Sequence, residues 1–166
     1  MEKYRWKAAV VTLSDKGAAG QREDLSGPAI CEMIMESGYE VVKTVLLPDE
    51  FEEIKKCLCK LCDEERVDVV FTTGGTGLAP RDCTPEATMA VADRNVPGIA
   101  EAMRLASLQI TPRAMLSRAA SVVRGRTLII NLPGSPKAVR ENLETVLPTL
   151  DHGLAILTER DGECAR

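Results

Sequence analysis

The sequence predicts an α/β domain with a mainly parallel sheet. Apolar strand-like runs alternate with helix-like segments through the first half of the chain. One of those runs, VDVVFTT at 67–73, is short and apolar enough to be buried on both faces. Four polar, Gly- or Pro-rich segments then fall where strands end: SDKGAAGQRED, LPDE, TTGGTGLAPRD and NLPGSPK.

The elements follow in order. WKAAVVTLS is a first strand that turns polar at Ser14-Asp15. After the loop KGAAGQREDLSG, PAICEMIMESG reads as a helix, with Ser26 or Gly27 as cap, Pro28 in its first turn and Gly38 as terminator. YEVVKTVLL is a second strand, stopped by Pro48-Asp49. In FEEIKKCLCKLCDEE, Phe51, Ile54, Leu58 and Leu61 share one helical face. Thr84 is placed to cap a helix PEATMAVAD that opens on Pro85. GIAEAMRLASLQ is helical, and AMLSRAA is a shorter helix or turn. SVVRGRTLIINLP is two strand runs joined at Arg124-Gly125-Arg126, a hairpin signal that adds one antiparallel element. AVRENLETVLPTLDHGLAIL is a terminal helix that Pro148 can kink. The reading is a single domain over residues 1–157, followed by a loose tail at 158–166.

Composition narrows the class. A chain of 166 residues with 45% hydrophobic and 28% charged residues suits one soluble globular domain. Aromatics are only 3%, so the core must be aliphatic. No apolar run approaches the ~20 residues of a membrane helix. The start, MEKYRWKAAVVTLSDKG, lacks a signal-peptide pattern, which makes the cytoplasm the expected location. Net charge is -4 but uneven: Arg104, Arg113, Arg118, Arg124, Arg126, Lys137 and Arg140 fall in a stretch without Asp or Glu. Such asymmetry can serve an anionic ligand, or the charges can scatter over separate faces and pair with acidic helices. Few aromatics and no dense basic run speak against nucleic acid as a partner.

Six cysteines raise disulfides, metal and nucleophilic chemistry. Cys57, Cys59 and Cys62 lie on one helical segment, where disulfide geometry is hard to reach. Cys59 to Cys62 is a lone C-x-x-C without a second pair, and His152 is the one histidine, so reduced thiols are expected. Cys83 has no visible activating partner for nucleophilic work.

In open α/β sheets, ligands bind outside the carboxyl ends of the strands, so the four special segments form one rim. Gly74, Gly75 and Gly77 let the main chain approach a phosphate, and Ser14, Thr73, Thr76 and Ser135 add hydroxyls. Asp49 and Asp82 make sense beside phosphates through Mg²⁺, which uses one or two carboxylates plus phosphate oxygens. Neither the P-loop nor the dinucleotide fingerprint is present, so the residues alone point to a phosphate-ligand α/β domain.

At these residues the sequence resembles the molybdenum cofactor biosynthesis family that includes the molybdopterin adenylyltransferases. TTGGTGLAPRDCTPEAT carries the likeness most specifically. VTLSDKGAAGQREDLSGPAI and LSRAASVVRGRTLIINLPGSPKAVRENLE extend it over nearly the whole chain, while Cys83 departs from the aliphatic residue expected there. The resemblance implies a three-layer α/β/α fold with a mixed, mostly parallel sheet, assembled as a homotrimer. It implies Mg-ATP-dependent adenylylation of molybdopterin with release of pyrophosphate, the product passing to a molybdate insertase. By position, Asp49 and Asp82 would bind Mg²⁺ and act in catalysis. Thr73, Gly74, Gly75, Thr76 and Gly77 would hold ATP phosphates. Pro133, Gly134, Ser135 and Lys137 would form a second substrate loop, and Ser14, Asp15 and Asp24 belong to the first. A non-catalytic molybdopterin-binding module is the alternative; the insertase itself is a much longer protein.

Overall fold

A computed structural model describes residues 4–160. Seven apolar-rich residues, Lys7–Leu13, form β1. A single turn, Asp15–Ala18 (α1), follows, and then α2 at Ser26–Glu36 and β2 at Glu40–Leu47. Helix α3 spans Phe51–Cys59 and continues into a π-helical turn, Lys60–Glu64. Strand β3 is Val69–Thr73, α4 is Thr84–Val91, β4 is the two-residue Arg94–Asn95, and α5 is Pro97–Leu108. A 3₁₀ turn at Pro112–Leu116 leads to β5 (Ser121–Arg124), β6 (Thr127–Leu132) and the long α6 (Pro136–Leu157).

The strands form one sheet in the order β2-β1-β3-β6-β5-β4. β2, β1, β3 and β6 are mutually parallel, and β5 runs antiparallel to both of its neighbours. This is the three-layer fold with a mostly parallel sheet and one antiparallel element. The period-2 alternation of strand side chains sorts the aliphatics between two cores. Ala8 and Val10 of β1, Phe71 of β3 and Ile130 of β6 meet α2, α5 and α6 on one face. Ala9 and Val11 of β1, Val70 of β3 and Ile129 of β6 meet α3 and α4 on the other. Every residue of β3 is buried, as a central parallel strand requires.

Several local expectations are corrected. Neither Ser26 nor Gly27 caps α2: Asp24 Oδ1 accepts the Gly27 N–H (2.9 Å) and so supplies the cap from further back. Thr84 does not cap α4 either; it is the first helical residue, and its hydroxyl donates to the Gly74 carbonyl (2.9 Å). The turn α1, where Ser14 Oγ accepts the Gly17 N–H (2.9 Å), and the short edge strand β4 escape the sequence reading because both are too brief for periodicity to register. Pro148 lies inside α6, which is assigned as a single helix. Of the tail expected at 158–166, Thr158 is buried and Arg160 stacks 3.7 Å over the Tyr4 ring; 161–166 lie outside the described residues.

One buried polar network crosses the sheet. Asn131 of β6 donates to Thr72 Oγ1 and Thr88 Oγ1 (both 2.9 Å) and accepts the Ala120 N–H (3.0 Å). Three elements are thus joined by groups with no access to water, so losing their common partner strands them all. An Asn131→Ala protein is expected to lose about 2–4 kcal/mol of stability, read as a lower urea midpoint at an unchanged slope. A loss below ~1 kcal/mol would show that the network does not hold β6 to α4.

Candidate functional site

Four parallel strands end level with one another: Leu13 pairs with Leu47, Thr12 with Thr73, and Thr73 with Leu132. The loops that follow are stitched at once. Ser14 N–H donates to Leu47 O (2.9 Å), Gly74 N–H to Leu132 O (3.3 Å), and Thr73 Oγ1 to Pro133 O (2.7 Å). The result is a cleft of about 690 Å³ over the strand ends.

Ser14, Asp24, Asp49, Thr73, Gly74, Gly75, Asp82, Gly134 and Ser135, all singled out in the sequence, line this cleft. Asp15 sits beside it, bonded to Asp49. Thr76, Gly77 and Pro133 face a second, more apolar cleft of about 280 Å³ between α5, α6 and the 3₁₀ turn. The Gly-rich turn is therefore a ridge between two hollows. Lys137 belongs to neither; its side chain is 84% exposed and comes within 4.0 Å of Glu141.

The ridge depends on missing side chains. A Cβ at Gly74 would lie 2.3 Å from the Leu13 carbonyl oxygen. One at Gly75 would lie 2.3 Å from Thr84 Oγ1 and 2.9 Å from Asp49 Oδ1. Both glycines also have positive φ, 93° and 67°. Two longer helices, α2 and α6, present their first residues Ser26 and Pro136 to the same cleft, and helix N-termini favour anions. Ser135 caps α6 by accepting the Ala138 N–H (3.2 Å).

The carboxylates differ in how they are held. Both oxygens of Asp24 are engaged: Thr12 Oγ1 donates to Oδ2 at 2.7 Å, and Gly27 N–H and Ser26 Oγ donate to Oδ1. Asp82 Oδ2 accepts the N–H groups of Gly77 (3.0 Å) and Ala79 (3.3 Å). Asp49 Oδ2 accepts the Asp15 N–H (3.1 Å), but Asp49 Oδ1 is buried with no hydrogen-bond partner among the described residues. Burial, with Asp15 and Asp82 as like-charged neighbours, raises the Asp49 carboxyl above the ordinary Asp range, partly offset by the Asp15 N–H. Asp15 is lowered, first by its hydrogen bonds from Arg81.

An orphaned carboxylate oxygen beside a second carboxylate fits Mg²⁺, which needs few protein ligands when phosphates supply the rest. Among the described residues no cluster of three or more His, Cys, Asp or Glu forms a complete metal cage. The described cysteines are free thiols. Burial pushes Cys62 up to about 12, and burial with the Asp49 carboxylate raises Cys83, which disfavours a thiolate.

The basic stretch mostly serves the fold, the second of the two readings its charge allowed. Arg124 pairs with Asp63 (2.7 Å), Arg140 with Glu32 (2.6 Å), and Arg126 with Glu159 and the Thr158 carbonyl. Arg104 donates to Ala119 O (2.8 Å). Arg118 pairs with Glu86 and donates to the carbonyls of Gly77 (2.7 Å) and Asp82 (3.0 Å), gripping the ridge from behind. The part played by Thr12, Gly27, Thr84 and Arg118 was not legible in the sequence, because each acts on a residue distant in the chain or through backbone contact.

Residues 9–152 match the family described as a probable molybdopterin binding domain. A molybdopterin adenylyltransferase of Helicobacter pylori strain J99 is 47% identical over 150 residues, covering 86% of this chain and 82% of that protein. The molybdopterin adenylyltransferase of Escherichia coli K12 is 46% identical over 143 residues, covering 84% and 73%. The crystal structure of the molybdopterin biosynthesis enzyme MoaB from Thermus thermophilus superposes with a TM-score of 0.89 at 52% identity, covering 93% of this chain and 97% of that one.

The strained carboxylate has a measurable signature. The folded state holds the Asp49 proton more tightly than the unfolded chain does, so ionising Asp49 weakens the fold as pH rises through its raised pKa. An Asp49→Asn protein is expected to melt about 2–5 °C higher at neutral pH without ligand, a gain that vanishes near pH 3, where both states are protonated. An unchanged or lower Tm at neutral pH would show that this carboxylate is not under strain.

Proposed function

Because the chain belongs to the molybdopterin-binding-domain family of molybdenum cofactor biosynthesis, we propose that it is a molybdopterin adenylyltransferase using Mg-ATP. The observation that carries the reading is Asp49 Oδ1, buried without a partner in the same cleft as Asp82 and against a turn stripped of side chains.

The terminal phosphate of molybdopterin is the nucleophile. Its oxygen bonds to the α-phosphorus of ATP, the bond from that phosphorus to the bridging oxygen of the β-phosphate breaks, and pyrophosphate leaves. That phosphate is already an anion near neutral pH, so no strong general base is required. The obstacle is bringing two polyanions together in line. Asp49 and Asp82 would hold Mg²⁺, which when bound neutralises phosphate charge. The backbone at Gly74 and Gly75 offers close approach without a Cβ, and the N-termini of α2 and α6 favour the anion from the far wall. Ser14 and Thr73 lie along the wall with hydroxyls, and Asp24 orders the entry to α2.

The second cleft suits the pterin. It is lined by Met103, Leu116, Ala100 and Ala138 with Arg104, Arg113 and Asn142 at its polar edge, and it touches the ridge at Thr76 and Gly77. A fused heterocycle held there and a nucleotide held opposite would meet at the turn between them. No described helix is long and apolar enough to cross a membrane. Cytoplasmic location, a homotrimer and delivery of product to a molybdate insertase complete the proposal, and they rest on the family likeness.

The test is direct. Protein, Mg-ATP and molybdopterin are incubated and adenylyl-molybdopterin is sought by mass, with pyrophosphate measured in parallel. Pyrophosphate and product in equal amounts are expected; binding of molybdopterin without turnover would make the chain a carrier. Asp82→Asn is expected to lower transfer by roughly 10²–10⁴-fold with an unchanged Tm, since the amide oxygen still accepts the Gly77 and Ala79 N–H groups. A fully active variant would remove the metal assignment.

A further inference from the structure

The cation nearest the paired carboxylates in sequence does not enter the cleft. Arg81 precedes Asp82, yet its guanidinium turns to the neighbouring loops. Nε and Nη2 donate to the two oxygens of Asp15 (both 3.0 Å), and Nη2 also donates to Glu50 Oε1 (2.7 Å). Asp15 in turn is clasped to Asp49 from both sides. The Asp15 N–H donates to Asp49 Oδ2 (3.1 Å), and the Asp49 N–H donates to Asp15 Oδ1 (3.0 Å). Glu50 is the residue after Asp49, so one planar fork grips both flanks of that carboxylate and is joined by a peptide bond to the other.

These contacts decide which Asp49 oxygen is left over. Oδ2 is engaged by the Asp15 N–H, and Oδ1 is the one buried without a partner. We propose that Arg81 is a positioning residue for metal binding: through Asp15 and Glu50 it fixes the spacing of the loops and presents Asp49 Oδ1 together with Asp82. The inference rests on the metal reading above and assigns Arg81 no contact with metal or substrate.

Three roles for this arginine give different signs. The Arg81 and Asp15 side chains are 55% and 41% exposed, so as an ordinary surface ion pair they would contribute little to stability and nothing to metal binding. As a nearby positive charge, Arg81 would repel a divalent cation, and its removal would tighten binding. As a positioning residue, its removal loosens Asp49 and weakens binding, as loss of an outer-shell partner does.

The experiment uses the full chain with Mn²⁺ as probe and a non-hydrolysable ATP analogue, free Mn²⁺ being counted by electron paramagnetic resonance. Arg81→Met is expected to weaken Mn²⁺ binding about 10-fold, with a metal-free Tm within about 2 °C of the parent. Asp15→Asn is expected to weaken it similarly, and the double variant no further than the weaker single, because both cut one chain of contacts. Unchanged or tighter Mn²⁺ binding by Arg81→Met overturns the inference. Should that protein fail to fold, Arg81→Lys decides: it keeps the charge but not the fork, and parental affinity there would equally overturn it. If the parent protein binds no Mn²⁺, the metal reading and this inference fall together; if the parent binds and the variants match it, only this inference falls.

Discussion

The site rests on a close approach between main chains. Because β1, β3 and β6 end in register, the chain leaving β3 must pass directly over the last carbonyl of β1 and beside the chain leaving β6. A methyl group at position 74 would collide with Leu13 O, and Gly134 comes near enough that its own Cβ would be 3.5 Å from Gly74 Cα. Strand register, set by two aliphatic cores, therefore dictates glycine at position 74, while a side-chain carbon at position 134 would meet it at ordinary contact distance. The bare turn is a consequence of how the sheet closes as much as of what it binds.

Around that turn the charges are arranged in a consistent way. Carboxylates occupy the cleft or its edge, where Arg22 also lies, while Arg81 and Arg118 grip the loops around it. Arg118 takes up the outward carbonyls of Gly77 and Asp82, and Arg81 takes up Asp15 and Glu50. Neither cation is left over to neutralise Asp49, whose Oδ1 has no partner and whose carboxyl is raised by burial. A protein could relieve this at no cost to its fold by placing a donor there; leaving it unrelieved is characteristic of sites that wait for a ligand.

Much of this was legible in the residues. The alternation of VVTL, VVKTVLL and VDVVF with helical segments gave the parallel sheet, and Arg124-Gly125-Arg126 gave the one reversal. The segments at strand ends gave the rim, because parallel strands must all end on one side. What stayed hidden depends on partners far apart in the chain. Nothing near Thr84 says that its hydroxyl reaches Gly74 instead of capping its own helix. Nothing near Arg81 says that it abandons its neighbour Asp82 for a loop 66 residues earlier. The division of GGTG between two hollows was also invisible: Thr73 to Gly75 face one side, and Thr76 and Gly77 the other. Sequence position cannot give the facing of a turn, which is settled by the φ values of its glycines.

That division has a kinetic meaning. A ridge with a separate mouth on each side gives each occupant its own path to solvent. With one substrate on each side, as proposed, neither would wait behind the other, and arrival could occur in random order. The spent fragment on one side would then be able to diffuse away while the elongated product was still seated on both. On the proposed reading, the joined product would span the ridge as the one species held by both hollows, and its dwell time would be set by two grips in place of one.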